Sequence, residues 1–130
     1  MNTRDVPNIR IKLLSKCKPG HDGEDWLRLF PRRDPVWGNC RFVFDRHERN
    51  YDWLVVYDEL PSVRGERHSL WEEELACPQA HTLLITVEPS TIKAYGSPYL
   101  HQFRWVLSAQ EPWALRHHPG QLYEQPALPW

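Results

Sequence analysis

The sequence predicts an α/β domain: a small, mostly parallel sheet with flanking helices. Short apolar runs of strand length recur at Ile9–Leu14, Arg41–Phe44, Trp53–Tyr57, Thr82–Val87 and Trp105–Ser108, each bounded by turn-forming or charged residues. The connections between them are long enough to return the chain to the same edge of a sheet, and some carry a helical pattern. One run, Trp53-Leu54-Val55-Val56-Tyr57, is apolar throughout, which suits a central strand covered on both faces.

Taken in order, Ile9-Arg10-Ile11-Lys12-Leu13-Leu14 alternates apolar and basic residues, the period of a strand with one covered face. Lys18 to Gly23 reads as a loop in which Asp22 or Gly23 caps a short helix over Glu24–Phe30, with the early acids favoured by the helix dipole. Pro31 stops that helix. After a polar loop, Arg41–Phe44 is a second strand and Trp53–Tyr57 a third, closed by Asp58-Glu59-Leu60-Pro61. The charged stretch from Arg64 to Glu74 is a solvated loop or one exposed helix. The fourth strand, Thr82–Val87, ends in Glu88-Pro89-Ser90. A short helix near Pro98–Phe103 leads to the fifth, Trp105–Ser108, and Leu122-Tyr123 begins a sixth.

Composition narrows the function classes. A chain of 130 residues forms one domain with a single core. Its formal net charge of −1 gives no pull toward nucleic acid. No segment is long and apolar enough to cross a membrane, and the amino terminus lacks the apolar centre of a secretory signal; the chain reads as cytoplasmic, with peripheral membrane association left open. Cys17, Cys40 and Cys77 are odd in number and widely spaced, which suits buried or half-buried thiols in a reducing compartment. Twelve prolines and seven tryptophans predict short elements and long connections, because proline interrupts ladders and helices. No zinc spacing occurs among the seven histidines, His117 and His118 being adjacent and therefore divergent. Neither a nucleophile elbow nor a glycine-rich phosphate loop is present.

Glu88 is the leading candidate for chemistry. Open α/β sheets place ligands at the carboxyl ends of their strands, and Pro89 biases Glu88 toward an extended backbone that aims its side chain out of the strand end. Ser90 beside it is a candidate substrate contact and, with Thr91, is free to cap a following helix. Tyr95, Tyr99 and Trp113 are candidate platforms for the C–H face of a sugar ring, although core or half-buried packing is the commoner role of such residues. For Glu88 the competing explanation is a solvated carboxylate or an ion pair with Lys93 or Arg104.

The succession Tyr51–Pro61, Thr82–Ser90, Phe103–Gln110, His118-Pro119-Gly120 and Leu128-Pro129-Trp130 resembles the amino-terminal half of bacterial proteins related to the α-1,3/1,4-fucosyltransferases, glycosyltransferase family 10. The resemblance covers Asn39 to Trp130 and rests on the order and spacing of these motifs. It implies a glycosyltransferase of the GT-B type, with two Rossmann-like halves facing a cleft. This chain would be the acceptor-side domain, with residues 124–130 beginning a linker to an absent donor-binding domain. It further implies inverting transfer of a sugar, fucose from GDP-fucose, to a glycan hydroxyl, with Glu88 as the base and no metal cofactor. The residues with which the family grips the nucleotide-sugar belong to the other half, so the isolated chain is not expected to turn over substrate. The alternative is a noncatalytic α/β domain that binds a glycan or a partner protein.

Overall fold

The computed structural model describes residues 8–16, 24–61, 74–88 and 91–123. Seven strands form one sheet: β1 (Ile9–Leu14), β2 (Val36–Trp37), β3 (Cys40–Val43), β4 (Trp53–Tyr57), β5 (Thr82–Ile85), β6 (Trp105–Ser108) and β7 (Gln121–Tyr123). Their order is β2-β3-β1-β4-β5-β6-β7. All neighbours pair in parallel except β2 with β3. The wholly apolar run is the central strand, and Leu54, Val55 and Val56 are buried. The β2–β3 hairpin is an addition to the sequence reading. Gly38, at φ +57, supplies the left-handed residue that its two-residue turn requires.

The connections sort onto opposite faces. By register, Lys12, Leu14, Leu54, Val56, Thr82, Leu84 and Val106 share one face. The core lies against it, where Leu60, Tyr95, Tyr99, Leu100, Phe103 and Leu115 from the later connections pack on Leu54, Val56, Leu84 and Val106. The connection from β1 toward β3 runs the other way along the sheet and packs on the other face, with Trp26 edge-on to Tyr57 at 5.3 Å and Phe30 against Phe42 at 5.3 Å. A single crossover hand produces this division, because reversing the direction of travel moves the connection to the opposite face. Leu83, Ile85, Trp105 and Leu107 on that second face are half-buried, and Leu122 is exposed.

Helices are sparser than the sequence suggests. The described residues contain two four-residue α-helices, α1 (Glu24–Leu27) and α2 (Ser97–Leu100), with three short 3₁₀ turns. The expected helices over Glu24–Phe30 and Pro98–Phe103 each end early in tight turns, through Leu29 N–H to Trp26 O and Phe30 N–H to Leu27 O in the first, and Gln102 N–H to Tyr99 O and Phe103 N–H to Leu100 O in the second. Pro98 sits in the first turn of α2, where no amide donor is needed. No helix follows Thr91 directly.

The alternation of β1 is also redistributed. Lys12 is buried, while Ile9, Ile11 and Leu13 are half-buried. The β3–β4 connection crosses over β1 and presents Arg46 O at 2.5 Å and Glu48 O at 3.0 Å to the Lys12 ammonium, which also lies 5.1 Å from the Tyr51 ring centroid. These acceptors replace the water that a buried ammonium would otherwise lose. Cys17, the capping residues Asp22 and Gly23, residues 64–73, Ser90 and residues 124–130 lie outside the described residues.

Candidate functional site

Because six of the seven strands run in parallel, their carboxyl ends share one edge of the sheet. The chain leaves β1 toward β3 and leaves β4 toward β5, so the direction of winding switches between β1 and β4. Such a switch opens a crevice at the carboxyl edge. Ser15, Lys16, Asp58 and Glu59 stand there. Ser15 Oγ donates to Tyr57 O at 2.7 Å and the Lys16 N–H to Glu59 O at 2.9 Å, which ties the two strand ends together.

Asp58 organises this edge. It turns the chain at φ +69, a left-handed conformation that aspartate tolerates better than most residues. Its buried carboxylate accepts from Tyr95 Oη at 2.5 Å and from Lys93 Nζ at 2.9 Å, and its carbonyl accepts from Tyr99 Oη at 3.1 Å. Lys93 Nζ also donates to Glu59 at 2.7 Å and lies 5.2 Å from the Tyr95 ring centroid. Burial pushes the Tyr95 hydroxyl well above the ordinary tyrosine range, and the Asp58 carboxylate that accepts its proton adds to the shift. Tyr99 moves the same way, through burial and then the charges of Asp58 and Glu59. For Lys93 burial acts downward, but hydrogen bonds to Glu59 and Asp58 outweigh it and hold the ammonium above its ordinary value.

Glu88 occupies a different place on the same edge, three residues past the end of β5, which stops at Ile85. Glu88 is exposed, and its carboxylate has no hydrogen-bond or ion-pair partner among the described residues. Both cations considered as partners are engaged elsewhere: Lys93 with Asp58 and Glu59, and Arg104 with the Trp105 ring at 4.0 Å. Trp113 is exposed on the connection that leaves β6, and Ile92 on the one that leaves β5. Tyr95 and Tyr99 are packed in the core with their rings 6.3 Å apart and their hydroxyls turned to Asp58. In this arrangement neither offers its ring face at the surface as a sugar platform.

Sequence reasoning did not single out Gln110. Its side-chain amide donates to Glu88 O at 2.6 Å and Lys93 O at 3.1 Å, joining both ends of the segment that carries the exposed carboxylate. Ser108 Oγ accepts from the Gln110 N–H at 2.9 Å and from Thr86 Oγ1 at 2.7 Å, so this polar group bridges β5 and β6. A buried glutamine two residues past an apolar strand is the only local signal, and it has meaning only once β5 and β6 are known to be neighbours.

Of the two adjacent histidines, His118 is structural. The Gly120 N–H donates to His118 Nδ1 at 3.0 Å, which leaves the proton on Nε2 for Phe103 O at 2.7 Å. His117 is exposed. Among the described residues no group of three His, Cys, Asp or Glu side chains is placed to hold a metal ion, and no helix is long and apolar enough to cross a membrane. Burial lifts the Cys77 thiol above its ordinary range, the direction of an unreactive structural cysteine. Compared with protein-family models, with curated proteins and with solved structures, the chain matches none.

Proposed function

We propose that this chain is the acceptor-side half of an inverting glycosyltransferase of the fucosyltransferase kind, working in the cytoplasm with a donor-binding half that carries the nucleotide-sugar. The observation that carries this reading is the placement of Glu88, a solvent-facing carboxylate without a protein partner among the described residues, at the carboxyl edge of a parallel sheet. The motif order that resembles glycosyltransferase family 10 supports the same assignment, as does compatibility of the sheet with one Rossmann-like half of a GT-B enzyme.

In this reading the acceptor hydroxyl approaches Glu88 and loses its proton to the carboxylate as its oxygen attacks the anomeric carbon. The nucleotide diphosphate leaves from the opposite face of the sugar. Closure of the donor half would strip water from Glu88 and raise its basicity, and such a base contributes about 10²–10⁴-fold in rate. Trp113, exposed on the neighbouring connection, supplies a ring face for the acceptor sugar. Ser90, beside Glu88 in sequence, is a second candidate contact.

Titration of the 130-residue chain with GDP-fucose and, separately, with N-acetyllactosamine, followed by NMR at Glu88 and the Trp113 indole, tests the proposal. Acceptor binding without nucleotide binding is expected. Binding of neither favours the noncatalytic reading, to which the Asp58–Lys93–Tyr95 cluster lends support. That cluster ties the switch point together with internal bonds, as a scaffold for a glycan or partner protein would.

A further inference from the structure

We infer that Gln110 is the positioning residue of this site: its side-chain amide is a two-point clamp that holds Glu88 and Lys93 against the end of β6 and so sets where the Glu88 carboxylate stands. The inference rests on the proposed role of Glu88, but the clamp is testable without it.

The geometry is asymmetric in an informative way. Gln110 is 2 % exposed. Its Nε2 serves two carbonyls, Glu88 O and Lys93 O, while Oε1 is the one buried side-chain polar atom without a partner among the described residues. Reversing the amide would set Oε1 against both carbonyls, so the observed orientation is fixed by its acceptors. A buried orphan acceptor carries an uncompensated desolvation cost, and a glutamine that served only to fill space could be replaced by methionine with no such cost. The arrangement therefore favours the two donated bonds at the expense of the third group.

The clamp acts on the segment at both ends and from a rigid base. The Gln110 N–H is anchored on Ser108 Oγ, itself bonded to Thr86, and Gln121 Nε2 in β7 donates to Gln110 O at 3.3 Å. Lys93 is held a second time by its ammonium, on Asp58 and Glu59. At the other end the Glu88 side chain has no partner among the described residues, while the backbone of its neighbour Val87 meets the Tyr95 hydroxyl. Glu88 itself is held through its carbonyl on Gln110, whereas Lys93 is held through both its carbonyl and its ammonium.

Two variants test this. Gln110→Met keeps the volume and removes the donors together with the orphan acceptor; Gln110→Glu keeps the shape and sets a carboxylate, which only accepts, against the two carbonyls. In both, backbone order parameters measured on the 130-residue chain are expected to fall at Glu88 from about 0.85 to below about 0.6, and less at Lys93, with β5 and β6 unchanged. Unchanged order at Glu88, or a uniform loss across the sheet, overturns the clamp. Titration with N-acetyllactosamine separates the two ideas. If the parent chain binds and both variants bind at least tenfold more weakly, Gln110 positions the acceptor site. Equal binding overturns that role even where order is lost. If the parent chain does not bind, the glycosyltransferase reading fails, and the order parameters alone decide the clamp.

Discussion

The Tyr95 hydroxyl donates to the Asp58 carboxylate at 2.5 Å across the carboxyl edge of the sheet, joining a residue that follows β5 to the residue just past the end of β4. A buried carboxylate in a left-handed turn is held by that bond and by Lys93. Removing one donor leaves charge buried with fewer partners, and hydrogen bonds to charged groups contribute about 1.5–3 kcal/mol each.

Tyr95→Phe should therefore lower the unfolding free energy by about 1.5–3 kcal/mol, read as a lower urea midpoint at unchanged slope. A loss below about 0.5 kcal/mol, the range of ordinary surface changes, would show that Asp58 does not depend on this bond.

Alkaline pH should unfold the protein through the same cluster. Tyr95, Tyr99 and Lys93 all bind their protons more tightly in the fold than in the open chain. Their contribution to stability is complete below the ordinary tyrosine and lysine values, both about 10, and is lost as pH rises through the higher folded values. Urea midpoints measured from about pH 8 upward should stay level and then fall above about pH 10, with the tyrosinate signal of Tyr95 and Tyr99 appearing together with unfolding. Tyrosinate formed at Tyr95 or Tyr99 in the intact fold near pH 10, identified by comparison with Tyr95→Phe and Tyr99→Phe, would contradict the shifts.

Gly120→Ala should cost about 3 kcal/mol or release β7. A Cβ on Gly120 would stand 1.8 Å from Arg104 O, and backbone cannot yield to that overlap without giving up the Val106 N–H to Gly120 O bond that joins this region to β6. Circular dichroism and thermal unfolding of the variant would reveal it; a melting curve like that of the parent would show that the approach is looser than the structure has it.

Glu88→Gln should leave the fold untouched, within about 0.5 kcal/mol, because the side chain is exposed and unpartnered among the described residues. In a protein reconstituted with a donor-binding half, the same change should reduce transfer by about 10²–10⁴-fold. Retained transfer would remove Glu88 from the role of base, whereas unfolding would recast it as a structural carboxylate.

What the chain alone determined is its local order. Val55 and Val56 are β-branched, apolar and bounded by aromatics, so Trp53–Tyr57 had to be a covered strand, and it is the central one. Pro31 and Pro98 punctuate the turns where they stand, since proline fixes its own φ wherever it occurs. Trp105–Ser108 and the exposed end of the β5 connection at Glu88 were likewise legible from short-range pattern.

Tertiary structure decided the rest, because the deciding partners are distant in sequence. Lys12 sits in an alternating strand, and only the β3–β4 connection passing over it, more than thirty residues later, supplies the carbonyls that allow an ammonium to be buried. Lys93 had three carboxylates to choose from, and the parallel pairing of β4 with β5 set it on Asp58 and Glu59, leaving Glu88 without it. Tyr95 and Tyr99 read as candidate sugar platforms with core packing the commoner role, and the buried Asp58 turned their hydroxyls inward. Gln110 was silent in the sequence, for an amide has no direction until the sheet order brings two carbonyls within its reach.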